Sequence, residues 1–567
     1  MTATEPVARG KRRDPTFESA VLEATRKVLG EAGFTVATVK EISRRSGVSA
    51  YAIYRRWPTR LTLIENAAFS TLVEVEVIFD VIHGPILARI FVPLAADRRR
   101  GVDTVVEMIV RILTPPTPGK PSRPGRHWSA RRSNPRNRRR AMKAADMILV
   151  SVDDHLVEPP SLFEGRLPAR YASQAPKVIT TSKGEDVWTF NGSVIPNIGL
   201  NAVAGRPREE YGVDPTAFDE MRPGCYDIHE RVKDMNAGGV LGSMCFPSFP
   251  GFAGRLFATA EDKDLALAVT RAYNDWHIDE WCGSYPGRFI PMALPVIWDA
   301  DLCADEIRRV AAKGCHSLTF TENPATLGCP SFHSDFWDPM WRALSETGTV
   351  LSVHLGSSGR LSVTAPDAPM DVMITLQPMN ICAAAADLLW SRVMKEFPDV
   401  RVALSEGGTG WIPYFIDRLD RTYDMHRLWT GQDFGDKLPS EIFRERFLTC
   451  FIADPVGIKL REDIGIDNIA WECDYPHSDS SWPSAAEELE AVTAGVPDDQ
   501  VNKITYENAC RWYHFDPFAH RAKDQSTVAA LRAEAAGHDV SVRSYDHGRF
   551  ERTVGMQLGE MATRVRQ

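Results

Sequence analysis

From Met142 onward, short apolar runs alternate with amphipathic stretches, a pattern that predicts repeated β-α units around a parallel sheet. The runs fall at 147–152, 240–245, 288–297, 315–320, 349–353, 400–405, 447–452 and 468–473. Eight of them predict an α/β fold of the (β/α)8 TIM-barrel type, with one long insertion after the first strand, Pro159 to Arg231. That insertion is rich in Gly, Pro and aromatics, including Trp188, Phe190, Tyr211 and Tyr226. It reads either as a lid or subunit contact over the barrel mouth, or as a packing excursion with no role in substrate binding.

The N-terminal pattern has a helical period instead. Phe17, Val21, Ala24, Val28 and Leu29 mark one face of a helix that Gly30 and Gly33 are expected to stop. Thr38 to Glu41 has the form of a reciprocal capping box, opening a short helix through Ile42 and Arg45. Gly47 supplies a turn, Ser49 a second cap, and Ala50 to Trp57 a second helix that Pro58 ends. This is an all-α helix-turn-helix arrangement. The stretch TVKEISRRSGVSAYAIYRRWPTRLTLIE resembles the DNA-binding region of TetR-type repressors. The resemblance implies that Tyr54 lies on a recognition helix and that Arg60 meets phosphate. The DNA-contacting set is therefore expected to be Thr38, Ser49, Tyr51, Tyr54 and Arg60.

The chain is thus expected to be multidomain: a helix-turn-helix domain at 14–68, a remnant of a helical regulatory domain at 69–113, a linker at 114–141, the barrel at 142–517 and a C-terminal extension at 518–567. The 69–113 segment resembles only the last helices of a TetR-type regulatory domain. The linker, with six Pro and eight Arg and almost nothing apolar, reads as a solvated spacer. Charge follows the same division. Up to residue 140 there are 26 Lys and Arg against 13 Asp and Glu, a balance of +13, whereas the remainder has 40 against 62, a balance of −22.

Composition narrows the class. Apolar content of 44% and charged content of 25% are those of a globular protein, and no secretory signal or membrane-spanning run is evident, so a cytoplasmic location is expected. All ten cysteines lie from Cys225 onward without a CxxC pair, which predicts reduced, buried thiols.

Chemistry concentrates at the ends of the apolar runs. Asp153 and His155 follow the first run; two residues apart on a strand, they share the interior side. His354, Glu406 and Asp474 end the fifth, sixth and eighth runs. Acidic and imidazole side chains gathered at strand ends predict one divalent metal, with a structural polar network as the alternative. The ligand set is expected to be Asp153, His155, His354 and Asp474, with Zn²⁺ or Mn²⁺ as the ion. Asp474, Glu406 and His477 are the candidate catalytic residues, His477 being placed to orient Asp474. No residue is assigned to an organic cofactor.

The stretches SVDDHLVEPP, LSVHLGSSG, LSEGGTGWIPYFIDRLD and IAWECDYPHSDSSWP resemble the amidohydrolase superfamily, in the branch that includes aminocarboxymuconate-semialdehyde decarboxylase and gamma-resorcylate decarboxylase. The resemblance implies that Asp153 replaces a ligating His or Glu on strand one, and that Glu406 stands where the decarboxylases place a catalytic His. Glu406 could be an added ligand, a base or a holder of water. The implied activity is hydrolysis or nonoxidative decarboxylation of an aromatic or cyclic carboxylate, with a homodimer and a DNA partner expected. The alternative is a TetR-type regulator that uses the barrel as a metabolite sensor.

Overall fold

The structure, a computed structural model, describes residues 15–36, 38–56, 63, 142–196, 198–211, 215–545 and 547. Arg60, the regulatory remnant, the basic linker and the last twenty residues lie outside them, as do the side chains of Tyr51 and Tyr54. The chain divides into two compact units, Met1–Arg132 and Ser133–Gln567.

In the first unit, α1 (Pro15–Val36), α2 (Val39–Ser46) and α3 (Ala50–Arg56) enclose a small core of Val21, Val28, Val39, Ile42, Ile53 and Leu63. Two expectations are corrected. α1 runs through Gly30 and Gly33 to Val36, because a glycine costs a helix only about 1 kcal/mol and does not by itself end one. The capping box is half made: Thr38 Oγ1 accepts the Glu41 N–H at 3.3 Å, but the Glu41 carboxylate turns to Arg44 and Arg45, which hold it at 2.6–2.9 Å. Gly47, at φ 71°, ends α2, and Ser49 Oγ caps α3 through the Ala52 N–H.

The second unit is the barrel. The chain enters β1 (Val150–His155), then the insertion, whose β2 (Lys177–Thr180), β3 (Asp186–Phe190) and β4 (Ser193–Ile195) form a separate antiparallel sheet. β5 (Gly242–Phe246) pairs in parallel with β1. β6 (Ser317–Thr321), β7 (Val350–His354), β8 (Arg401–Ser405), β9 (Phe447–Phe451) and β10 (Ile469–Trp471) form a parallel sheet in that order. The two sheets are joined by sparse bonds rather than continuous ladders. On one side the segment 289–293 bridges Ser243 to Phe289 and Ala293 to Leu318. On the other, the Asp474 N–H donates to Asp153 O at 2.8 Å and the His155 N–H to Tyr475 O at 2.7 Å. The third run, expected as a strand over 288–297, is therefore only a chain of bridges, because Pro291 and Pro295 supply no N–H to a ladder.

Strands buried on both faces read as near-continuous apolar runs, which is why they stood out. Val150, Val152, Met244, Phe246, Ile290, Met292, Val350, Ala403, Leu448, Cys450 and Ala470 fill the interior. Leu149, Leu318, Leu351, Val402 and Trp471 face the other way and share one cluster with residues of the helices between strands: α4 (Ile228–Gly238), α5 (Lys263–Trp276), α6 (Ala300–Ala311), α7 (Asp338–Thr347), α8 (Met379–Trp390) and α9 (Ile412–Thr430). Met370–Trp390 is long and apolar enough to cross a membrane by composition, which the sequence reading did not register. It is two helices, Met370–Leu376 and α8, separated at Gln377 and Pro378, and α8 buries Ile381, Ala385, Leu388 and Leu389 in the core. The ten cysteines are free thiols, none exposed.

Candidate metal centre

Period-two alternation from Val150 and Val152 would send Asp153 to the outer face. Between Ser151 and Asp154, however, the register of β1 shifts against β5, and the bulge turns Asp153 and His155 toward the centre of the barrel. Asp154 points elsewhere: its carboxylate accepts from Ser151 Oγ at 3.1 Å, the Tyr475 N–H at 3.1 Å and Ser243 Oγ. His354 reaches the same space from the end of β7, and Asp474 from just past β10. Glu406 and Asp474 both sit at positive φ, 58° and 56°, left-handed backbone that costs a non-glycine residue about 1–3 kcal/mol. Beside Glu406, Gly407 lies so close to Ile381 that a Cβ would stand 2.6 Å from its Cγ2. Asp454 anchors this turn by accepting from the N–H groups of Thr409, Gly410 and Gly457 at 2.6–2.7 Å.

The side chains converge. His354 Nε2 is 3.1 Å from His155 Nε2, 3.4 Å from Asp153 Oδ2 and 3.4 Å from Glu406 Oε2. His155 Nε2 lies 3.4 Å from both Asp153 Oδ1 and Asp474 Oδ1, and His477 Nδ1 is 2.9 Å from Asp474 Oδ1. Ligand atoms of Asp153, His155 and His354 fall within 4.8 Å of one another, as do those of His155, Asp474 and His477. Asp153, His155, His354 and Asp474 are buried, while Glu406 remains 18% exposed. The expected ligands are thus brought together, with Glu406 and His477 beside them. In the first unit, Thr38 and Ser49 serve as helix caps.

The electrostatics are those of a site short of positive charge. Neither oxygen of Asp153 or Asp474 accepts a well-aligned hydrogen bond among the described residues. Burial, then the neighbouring Asp474, pushes the Glu406 carboxyl well above the usual range, and burial, then Asp153, does the same to Asp474. Burial pulls the His354 imidazole down, but Asp153 and Glu406 outweigh it and raise its pKa to about 10. Burial, with His477 and His354 adding to it, holds His155 well below its ordinary value, so its imidazole stays neutral and able to ligate. Buried carboxylates that accept no well-aligned hydrogen bond among the described residues and face two imidazoles fit a divalent cation.

Several neighbours escaped the sequence reading. Glu472 is buried, accepts the Glu406 N–H at 3.2 Å and leaves Oε1 unpartnered; an acid inside an apolar run was the available signal. Phe252 stacks on His354 at 4.2 Å, and His477 on His155 at 3.7 Å. Glu158 is buried and fixes the loop that carries Phe252 by accepting from the Ser248 and Phe249 N–H groups and Tyr273 Oη at 2.8–3.0 Å. The insertion packs against the same region. Trp188 stacks on Phe249 at 4.2 Å, and the Val203 and Ala204 N–H groups donate to Pro476 O at 2.9 Å. A cavity of about 540 Å³ is lined by Glu322, Ser358, Arg360, Asn380 and Trp390. Its wall is tied to the centre, since the Glu322 N–H donates to Ser357 Oγ at 2.8 Å and Ser357 Oγ donates to His354 O.

The amidohydrolase family model matches residues 179–515, more than half of the sequence. The chain belongs to the amidohydrolase family. The match begins beyond β1, so Asp153 and His155 lie outside it. The model for bacterial regulatory proteins of the tetR family matches residues 21–67. No curated protein matches the chain. Among solved structures, an amidohydrolase from Mycobacterium avium subsp. paratuberculosis is 20% identical with a TM-score of 0.53, over 65% of this chain and 99% of that one. A 5-carboxyvanillate decarboxylase from Sphingomonas paucimobilis is 19% identical with a TM-score of 0.47, over 65% and 100%. A 2,6-dihydroxybenzoate decarboxylase from Rhizobium is 17% identical with a TM-score of 0.43, over 65% and 99%. The first supports the barrel fold of the amidohydrolase domain.

Proposed function

We propose that the amidohydrolase domain is a metal-dependent carboxy-lyase, taking Zn²⁺ or Mn²⁺ on Asp153, His155, His354 and Asp474 and acting on an aromatic or cyclic carboxylate. The observation that carries this reading is the set of buried carboxylate oxygens that accept no well-aligned hydrogen bond among the described residues, facing two imidazole nitrogens at the ends of barrel strands. When bound there, the ion would supply positive charge to hold and polarise the substrate carboxylate. Glu406 stands at the exposed edge, and burial pushes its carboxyl above the usual range, which suits it to deliver a proton to the ring carbon. The bond from that carbon to the carboxyl group breaks, its electron pair stays on the carbon and takes the proton, and CO2 leaves. His477 holds Asp474, and Phe252 packs His354 from its apolar side. Arg360 and Trp390 give the cavity beside the centre a cation and an aromatic face for an acidic ring. Hydrolysis is the second reading, with Asp474 as the base that takes a proton from water.

The test is incubation of the protein, loaded with Mn²⁺ or Zn²⁺, with a panel of aromatic carboxylates while CO2 is measured. Metal analysis of wild type beside Asp153→Ala and His354→Ala accompanies it; equal metal content in all three removes the basis of this reading. For the N-terminal unit we infer DNA binding, supported by the tetR-family match and the two capped helices. An electrophoretic shift with the full chain on its own upstream DNA checks it, and no shift at low salt, where even nonspecific affinity is strongest, sinks it.

A further inference from the structure

The C-terminal extension ends up against the loop that carries Asp474. A helix, α10 (Val528–Glu534), is anchored by the Val528 N–H donating to Met147 O at 2.9 Å, with Val528 and Leu531 buried. Val528 packs on Gly239, at φ 78°, where a Cβ would stand 2.6 Å from Val528 Cγ1. Arg532 reaches Pro483 O and Ala237 O at 3.2 Å, spanning the loop after β10 and the end of α4. Beyond α10, His538 Nε2 lies 2.7 Å from Asp234 Oδ1, Asp539 O accepts from Arg222 at 2.9 Å, and the Arg543 N–H donates to Gly205 O at 3.0 Å.

Asp234 is the meeting point. It is buried, and besides His538 it accepts from Arg222 at 2.6 Å and from the Tyr475 hydroxyl at 2.6 Å, while its backbone carbonyl accepts from Trp482 Nε1 at 2.9 Å. Tyr475 follows Asp474 directly. Its carbonyl accepts the His155 N–H at 2.7 Å, its ring lies under the Arg231 guanidinium at 4.5 Å, and Arg231 also donates to His155 O. Two of the four residues assigned to the metal are thus fixed by groups that converge on one carboxylate held from the tail.

We propose that the C-terminal extension is a working part of the metal centre, with His538 a positioning residue that holds Tyr475, and through it Asp474 and His155, by way of Asp234. A tail that merely covers surface needs no donor on Asp234; one that positions the ligands does. The inference rests on the metal reading above, so its test has an arm independent of metal. In the full chain, His538→Ala and His538→Gln are compared with wild type by hydrogen exchange over residues 473–481, by Mn²⁺ titration of the metal-stripped protein, and by Tm.

The expected result is exchange about tenfold faster over that loop in His538→Ala, the change that follows loss of one charge-assisted hydrogen bond, with little change in Tm. Mn²⁺ affinity falls about tenfold, as when a group that orients a metal ligand is removed. His538→Gln, whose amide N–H can still donate to Asp234, restores both. Loop exchange in His538→Ala equal to wild type overturns the proposal, as does a fall in Tm that His538→Gln fails to reverse. Wild-type protein that takes up no Mn²⁺ defeats the metal reading alone, and the exchange arm still decides the role of the tail.

Discussion

Two buried acidic clusters, joined where Tyr475 follows Asp474, are built in opposite ways. Around Asp234 every charge is answered: Arg222, Tyr475 and His538 donate to its two oxygens, and Arg222 stacks over Trp482 at 4.5 Å. Around Asp153 and Asp474 the carboxylates are equally buried, yet their oxygens accept nothing well aligned among the described residues. A buried polar group without a partner costs about 1–3 kcal/mol, more when charged, so a fold keeps it only where something else compensates. The comparison teaches where structure ends and chemistry begins. The first cluster is complete as protein, while the second would be completed by the proposed cation. Asp153 and Asp154 repeat the contrast as neighbours, one accepting no well-aligned hydrogen bond among the described residues and one with three donors.

The strongest way to break this comparison is to remove a ligand. Asp153→Ala or His354→Ala is expected to lower metal affinity by more than about 100-fold, beyond what loss of an orienting group causes, and to abolish turnover; metal analysis and CO2 release read both. Next comes Glu406→Gln, which should leave metal content unchanged and cut turnover by about 10²–10⁴-fold if Glu406 moves the proton. Wild-type turnover in that variant would return Glu406 to a structural role.

Stability separates the clusters by sign. Asp234→Ala leaves the Arg222 charge buried without its partner and should cost about 3–5 kcal/mol, read by denaturant unfolding. Asp153→Asn in the metal-free chain relieves repulsion with Glu406 and Asp474 while giving up attraction to His354, so it should cost much less than Asp234→Ala; a comparable loss in both would erase the distinction between the clusters.

The smallest expected effect is on pH dependence. Glu406 and Asp474 have folded pKa values above their ordinary values, and His354 is raised to about 10. A raised group stabilises the fold below its unfolded pKa, and that stability is lost as pH rises through the folded value. Between about pH 7 and pH 10 the metal-free protein should therefore lose Tm. Mn²⁺ should reverse the trend, because its ligands bind deprotonated. A metal-free Tm that rises over this interval contradicts the assignment.

Much of this was legible before any coordinates. The continuous apolar runs marked the strands because a parallel sheet is buried on both faces, and the polar residues ending them marked the mouth. The helix-turn-helix was legible because caps and a turn glycine are local features, and the Gly47 conformation and the Ser49 cap are where the pattern put them. What misled was also local: Gly30 and Gly33 looked like stops, and 288–297 looked like a strand although its prolines reduce it to bridges.

By itself, then, the sequence determined the two-part organisation, the barrel class and the identity of the residues at its mouth, since each depends on periodicity and on residue type. Only the tertiary structure decided which of those residues meet. The bulge in β1 that turns Asp153 inward, the left-handed backbone at Glu406 and Asp474, the buried Glu472 and the contact of His538 with Asp234 all depend on segments far apart in the chain. Whether a buried carboxylate is satisfied or left waiting for a cation depends on which donors the fold brings within about 3 Å of it, and no local pattern encodes that distance.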